Sequence, residues 1–430
     1  MTTSILWFKN DLRLEDNEAL VEAIAQSDQL IPVYCFDEAI YKTIPYGFTR
    51  IGKFRAKFLL ESLSELKFRL AELGANLQIV KGNPEEELPK IAFKYNAKKV
   101  FTEREIAFEE LQTLDKVRSA LLKNDCFLMT SASNTLYHID DLPLSIDRIP
   151  DIFSQFRVLV EKKTTIRPAL NIPHHIPTPD LGSMDIPTLA EMGLPAVERD
   201  ARAVLNYKGG ESEAIKRLKY YFQESKAISR YKETRNGMVG SDFSTKFSAW
   251  LSMGCLSSRY IYSELKAFED TFGANESTYW LQFELLWRDY FKLMMEKYGN
   301  KLFLFNGIKA RREKPDAVNF TILQQWINGE TGVDFVDANM KELKFTGYMS
   351  NRGRQNVASF LINDLQIDWR YGAAYFEQQL IDYDVSSNWG NWAYLSGVGN
   401  DPRGKRYFNI EKQANDYDQD KKYRNLWLNL

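Results

Sequence analysis

Histidine is scarce in this chain: its three copies are His138, His174 and His175, so nothing beyond residue 175 carries an imidazole. Chemistry in the second half that needs a histidine acid or base is excluded. Three cysteines, Cys35, Cys126 and Cys255, stand far apart without CxxC spacing. This odd, scattered set excludes a disulfide framework and a structural zinc site, and it suits a reducing compartment. No metal is expected. Long apolar runs are also missing, and Lys9 interrupts the first apolar segment. Neither a signal peptide nor a membrane anchor is expected, which points to a cytoplasmic protein. Excess charge is absent too, since a net charge of −2 and a pI near 6.1 give no global pull on nucleic acid. Any such binding must come from a local patch. There is no internal repeat and no low-complexity segment.

What is present falls into two halves with different patterning. The 430 residues, 44% of them apolar, suffice for more than one core. Short apolar runs at 5–8, 30–36, 77–80, 99–102 and 126–129 alternate with helical periodicity such as 50–73. That alternation predicts a doubly wound parallel sheet, an α/β domain over residues 1–135. Its first turn, Lys9-Asn-Asp-Leu-Arg-Leu-Glu-Asp-Asn17, contains no glycine. The G-x-G-x-x-G approach to a pyrophosphate is therefore unavailable. Eight of the 14 prolines lie between residues 140 and 200, which predicts an interdomain connector over 136–204 wrapped on the surface. From 205 to 430 the 3.6-residue period dominates, as in 213–222, 278–297 and 357–365, and eight of the nine tryptophans follow residue 249. The second half reads as an all-α, aromatic-rich domain.

The densest chemistry lies in 369–392, where Trp369, Trp389 and Trp392 accompany Asp382, Asp384 and Asn388. Indoles pass single electrons by short hops, and an amide with carboxylates at a flavin's polar edge would set the protonation of its nitrogens. An aromatic core with polar caps explains the same residues equally well. Ser244, Thr245 and Ser248 stand at a predicted helix start, where they would hold a phosphate, or where one of them simply caps the helix. Glu284 and Trp287 share a helix face. A carboxyl beside an indole would have a raised pKa and could donate to a bound base, although an ion pair with Arg288 is the commoner arrangement. Asn351, Arg352, Arg354 and Gln355 cluster around Gly353, with Arg354 a partner for Asp382 and Arg352 for a phosphate; a capped helix start at Asn351 with solvated arginines is the alternative. Basic clusters at Lys309, Arg311, Arg312 and Lys314, and at Arg403, Lys405 and Arg406 beside Tyr407 and Phe408, either track a nucleic-acid backbone or form solvated faces.

Taken in order, the segments 7–17, Tyr231-Lys-Glu-Thr-Arg-Asn-Gly-Met-Val-Gly240, Phe283-Glu-Leu-Leu-Trp-Arg-Asp-Tyr290, Gly347-Tyr-Met-Ser-Asn-Arg-Gly-Arg-Gln-Asn356 and Tyr383-Asp-Val-Ser-Ser-Asn-Trp-Gly-Asn-Trp392 resemble the photolyase and cryptochrome family. The likeness is closest to the DASH cryptochrome branch and covers nearly the whole chain. It implies a non-covalent, U-shaped FAD in the helical domain, used as a blue-light-driven electron donor to a cyclobutane pyrimidine dimer. On that resemblance Tyr231, Ser244, Thr245, Lys246, Phe247 and Ser248 bind the FAD phosphates and ribityl chain. Trp280, Gln282 and Arg288 line the cofactor or the cavity mouth. Asn351 and Arg354 sit beside the flavin, Arg354 paired with Asp382, while Asp382 and Asp384 meet the ring's polar edge and Asn388 faces N5. Glu284 would hydrogen-bond a thymine carbonyl, Trp287 and Tyr394 would flank the flipped dimer, and Gln355 would add a polar contact. Tyr394 and Gln355 replace the Trp and Met of ordinary dimer photolyases, which implies looser packing and a preference for single-stranded or looped DNA, where flipping costs less. Arg235, Arg352 and Arg403 are implied phosphate contacts. Repair of (6-4) photoproducts is disfavoured, because it needs a histidine that this half lacks.

The same resemblance has one gap. Trp392 and Trp369 match the first two members of the family's three-indole chain, but the outer position aligns with Asp316. Either Trp326 or a nearby tyrosine substitutes, or light-driven flavin reduction is inefficient. The resemblance also implies an antenna in the α/β domain, usually 5,10-methenyltetrahydrofolate in this branch, with Glu105 or Glu109 as its acidic contact. The expected protein is a monomer. Its competing readings are a blue-light receptor that binds nucleic acid without efficient repair, and a generic flavin oxidoreductase.

Overall fold

The computed structural model describes residues 2–181, 185–309 and 316–429. Arg311, Arg312 and Lys314 of the first basic cluster lie outside the described residues. Five strands, β1 (Thr3–Phe8), β2 (Gln29–Phe36), β3 (Gln78–Lys81), β4 (Lys99–Glu103) and β5 (Phe127–Ser131), pair in parallel in the order β3-β2-β1-β4-β5. β1 is central and its last five residues are all buried. A strand covered on both faces reads as a continuous apolar run rather than an alternating one, which is why 5–8 stood out in the sequence. Helices Glu18–Ala25, Lys53–Glu72, Pro84–Lys94 and Phe108–Leu122 connect the strands.

The glycine-free first turn serves as a clamp between the two halves. Arg13 donates to the Gly254 carbonyl at 3.1 Å and the Leu12 amide to Met253 O at 3.2 Å. The amides of Leu14 and Glu15 donate to the buried Glu211 carboxylate at 2.9 and 2.8 Å. Asp16 accepts from Arg259 at 3.0 and 2.6 Å and from the Ser257 hydroxyl, with side chains 0% and 2% exposed for the ion pair. Gly254, at φ +66°, lies so close to this loop that an added Cβ would stand 2.1 Å from Asn10 O.

The proline-rich stretch differs from the expected irregular connector in one respect. It contains the helix Phe153–Lys163, whose Phe153, Phe156 and Val160 are buried. It carries five apolar residues, of which Val158 is exposed, in a short stretch bounded by Pro150 and Pro168. In the second half the helix Glu276–Tyr298 packs against Val385–Leu395 and Tyr231–Thr234. It starts on a capping box formed by Asn275 and Thr278. Helix Asn351–Asn363 is capped by the Ser350 side chain, one residue before the expected cap at Asn351. One apolar cluster runs from the sheet into the helical half; another surrounds Trp326, Trp369, Trp389 and Trp392. Among the described residues no helix is long and apolar enough to cross a membrane, and no His, Cys, Asp and Glu group has metal-binding geometry.

Removing one partner of a buried ion pair strands the other charge. Asp16→Asn should therefore lower unfolding stability by about 3 kcal/mol or more, and adding Arg259→Met should recover part of it. Denaturant midpoints of the wild type and both variants measure this.

Candidate functional site

The helical half holds several buried polar groups with no carboxylate or carbonyl to answer them. Lys246 sits in a left-handed conformation (φ 61°), is 5% exposed, and donates to the Tyr348 hydroxyl at 3.0 Å. Among the described residues no carboxylate lies within 4.0 Å of its ammonium. Arg217 shapes the loop before it, donating to the carbonyls of Ser241, Ser244 and Thr245 at 2.7, 3.3 and 3.0 Å. Thr245 and Phe247 are buried with Lys246, whereas Ser248 is exposed. The expected helix start is only the five-residue Ser248–Ser252, without a side-chain cap, so loop hydroxyls and the ammonium outweigh any helix dipole. The Tyr207 and Tyr221 hydroxyls are buried without a partner. Burial raises the Tyr231 phenol well above its ordinary range, and nearby Glu284 adds to the shift.

A polar edge faces this region. Arg354 Nη2 donates to both Asp382 oxygens, at 2.9 and 2.7 Å, and Arg354 Nε to Met349 O at 2.9 Å. Asn388 Nδ2 donates to Ala373 O at 2.9 Å, which leaves Oδ1 as the free acceptor end. Asp384 caps the helix Val385–Leu395 through the Ser387 amide at 2.7 Å. Burial pushes the Asp384 pKa up, but Lys292 and Arg288 outweigh it and hold the carboxyl below its ordinary value. Lys292 is in turn lowered to about 8 by burial and Arg288. Two of the expected cofactor residues point elsewhere. Arg288 is spent on Asn134 O and Oδ1, Leu251 O and the Ser258 hydroxyl at 2.9–3.3 Å. Gln282 bonds the Tyr137 phenol on the connector side of the helix. Asn351 is exposed at the first turn of its helix.

A second group gathers around Glu284 and Trp287. Glu284 pairs with Arg235 at 2.5 Å, not with Arg288, and accepts from Trp280 Nε1 at 3.2 Å. Burial raises its pKa while Arg235 opposes the rise. Trp287 stacks on Phe153, with centroids 3.6 Å apart and planes at 11°, and meets the Tyr394 ring edge-on at 6.1 Å. Sequence reasoning missed Phe153, since it lies on the helix hidden in the connector. The Tyr394 hydroxyl accepts from Arg403 and Arg406 at 3.3 and 3.2 Å, and both arginines pair with the buried Asp401. Gln355 Oε1 accepts from Arg352 at 3.0 Å, and Arg352 lies over the Tyr417 ring at 4.4 Å.

Two family models match the chain: DNA photolyase over residues 4–180 and the FAD binding domain of DNA photolyase over 280–429. The chain belongs to the photolyase and cryptochrome family. It is 46% identical over 427 residues to a Cryptochrome DASH of Gloeobacter violaceus, covering 99% of this chain and 85% of the relative. Its structure matches the solved Synechocystis sp. PCC6803 cryptochrome at a TM-score of 0.95 and 44% identity, covering 100% of this chain and 89% of that one. An archaeal photolyase from Sulfolobus tokodaii, solved with two FAD molecules, matches at 0.81 and 26%, covering 99% and 90%. FAD is the cofactor of this photolyase-family chain. The fit is physical as well: a buried ammonium with no carboxylate in ion-pair contact suits a diphosphate, and the unpartnered Tyr207 phenol near the Arg354 and Asp382 pair suits a polyhydroxylated, heteroaromatic ligand.

The indoles of this photolyase-family domain are arranged differently from the expectation. Trp326 is fully buried against Trp392 at 6.3 Å, with Nε1 donating to Val357 O at 3.1 Å. Its ring is enclosed beside Trp392 and does not reach the surface. Asp316 is exposed.

Between the two halves opens a cavity of about 520 Å³ lined by Trp7, Tyr34, Tyr46, Glu110, Lys292 and others. Glu105 accepts from Asn10 at 2.6 Å and pairs with Lys9 at 3.3 Å, and Glu109 pairs with Arg50 at 2.6 Å. Both expected acidic contacts are thus engaged. Glu110 has no ion pair among the described residues, and burial, with Glu105 adding, pushes its carboxyl well above the ordinary range. The adjacent glutamates are indistinguishable in sequence; only the helix direction separates them. As pH rises past about 4.5 the unfolded carboxyl ionises while the folded one keeps its proton, so stability falls until Glu110 also ionises. Glu110→Gln has no proton to lose. It should match the wild type in acid and exceed it at alkaline pH by about 1–2 kcal/mol, as read from urea midpoints across pH.

Proposed function

We propose that this chain splits cyclobutane pyrimidine dimers in DNA, single-stranded or looped DNA being preferred, as a light-driven carbon–carbon lyase. The observation that carries the reading is the Glu284 carboxyl, protonation-prone and pinned by Arg235 at the mouth beside Trp287 and Tyr394. In this reading residues 1–135 form an antenna domain, 136–204 a connector and 205–430 the catalytic domain. The protein acts as a monomer.

Tyr231, the loop 244–248 and Arg354 would hold FAD, which would supply the electron on excitation and take it back after the ring splits. The protein's share is binding, orientation and charge. Asn388, whose Oδ1 is left free by the Nδ2 contact to Ala373 O, would accept a hydrogen bond from a bound flavin, and Asp382, paired with Arg354, would set the polarity beside it. Glu284 offers its proton to a thymine carbonyl oxygen, where negative charge collects once the dimer is reduced. Trp287, flattened against Phe153, gives the flipped bases an apolar platform, and Tyr394 closes the other side. Arg235, Arg352 and Arg403 reach the phosphates. The interdomain cavity takes a folate antenna, with Glu110 as its acidic contact in place of Glu105 or Glu109.

The second reading, a blue-light receptor that binds nucleic acid without repair, is favoured by the curated relatives being named cryptochromes. Illumination of reduced protein with dimer-containing oligothymidine separates the two: recovery of the thymine absorbance supports the lyase, and its absence on single strands supports the receptor. Glu284→Ala should retain FAD yet lower the repair yield by roughly tenfold or more, the scale of losing one donor to a developing charge. An unchanged yield would assign Glu284 to phosphate-side positioning alone.

A further inference from the structure

An electron path that starts at Trp392 needs an outlet, and neither Asp316 nor Trp326 offers one. Trp392 lies on Gly372, where an added Cβ would be 2.2 Å from its Cη2, one helical turn from Trp369. From Trp369 the next indole is Trp389, with ring centroids 5.9 Å apart and planes at 75°. Trp389 is followed by Tyr46 at 6.2 Å, and Tyr46 by Tyr371 at 5.2 Å. Tyr46 and Tyr371 are half-buried, and Tyr46 lines the interdomain cavity, so this file of rings runs from the domain interior to solvent.

The indole N–H groups in this cluster differ in what receives them. Trp326 and Trp369 donate to the backbone carbonyls of Val357 and Phe305, both at 3.1 Å. A carbonyl cannot take a proton at ordinary acidity. Trp389 instead donates to Glu377 Oε2 at 3.0 Å, in a contact where both side chains are 4% exposed. The other Glu377 oxygen lies 3.6 Å from Arg50. Loss of an electron makes an indole N–H strongly acidic, so a carboxylate on that proton removes it and prevents the electron from simply returning.

We propose that Trp389 is the third relay of this chain and its trap, with Glu377 as the proton acceptor and Tyr46 as the outlet into the cleft. The inference rests on the flavin reading above. One electron passes from Trp392 to the light-excited flavin, one from Trp369 to Trp392, and one from Trp389 to Trp369. The net change is one-electron reduction of the flavin and one-electron oxidation of Trp389, whose Nε1 proton moves to Glu377. An external thiol then returns an electron by way of Tyr46, and Glu377 returns the proton.

The test is flash excitation of the FAD-loaded protein, followed by transient absorption and by electron paramagnetic resonance on samples carrying ring-deuterated tryptophan. The wild type should give a long-lived neutral indole radical whose formation slows in D2O. Trp389→Phe should lose it. Glu377→Gln, which keeps the indole and the shape of the contact, should leave a radical cation and abolish the D2O effect. A neutral indole radical of unchanged lifetime in both variants overturns the proposal, whichever of them folds less well. Wild type that takes up no FAD overturns the flavin reading beneath it. Chemically reduced wild type that splits dimers, while Trp389→Phe keeps its long-lived radical, overturns the relay alone.

Discussion

The buried contact between Asp16 and Arg259 is the constraint on which the rest of the molecule depends. Desolvating two charges costs several kcal/mol per ion, and the attraction offsets this only when the remaining lone pairs and protons are answered. Here they are: Ser257 donates to the same carboxylate, the Leu170 amide donates to its other oxygen at 3.0 Å, and neighbouring Arg13 is bonded to Gly254. The pair sets the spacing of the sheet's first turn from the helical half. That spacing in turn places Asn134 against Arg288 and Lys292, and leaves the interdomain cavity open beside them. A turn that must lie against another domain's backbone has no room to cradle a pyrophosphate, which gives the missing glycines a positive reason.

Charge inside the molecule is sorted into two kinds of carboxyl. Asp384 feels burial first, but Lys292 and Arg288 outweigh it and hold the carboxyl below its ordinary value. Glu284, paired with Arg235, and Glu110, which lines the interdomain cavity, are raised by burial. Environments that push like groups apart are the usual way one site holds both a fixed charge and an available proton. The fixed charge caps a helix start through the Ser387 amide, while the raised carboxyls hold protons more readily than free ones.

Much of this was legible in the sequence because it is local. All five strands lie within two residues of their apolar runs, and the long helices within six, since periodicity depends on neighbours along the chain. The Arg354 and Asp382 contact followed from residue type, an arginine and an aspartate each too costly to bury alone. What escaped was direction. Glu109 and Glu110 are one residue and about a quarter turn apart, and Gln282 and Glu284 point to opposite sides of one helix. Trp326 and Trp389 are both indoles in helical text, yet one is sealed inside and the other leads outward. Phe153 was hidden because its short helix lies inside a proline-rich stretch, and its role shows only when Trp287 is laid against it.

The cations at the mouth illustrate how a chain of nearly neutral charge can present a basic rim without advertising it. Arg235 is held by Glu284, Arg352 by Gln355 and Gln413, and Arg403 by Asp401. Each is positioned in advance, so its side-chain entropy is already lost before a phosphate arrives. Each must also exchange a partner to bind one, which reduces the gain per contact. For Arg235 the exchange has a further consequence: a phosphate that draws it away leaves Glu284 without its cation, and burial then favours the protonated carboxyl. Under the lyase proposal, binding of the backbone and arming of the proton donor would then be the same event, which would tie the proposed chemistry to a correctly seated strand.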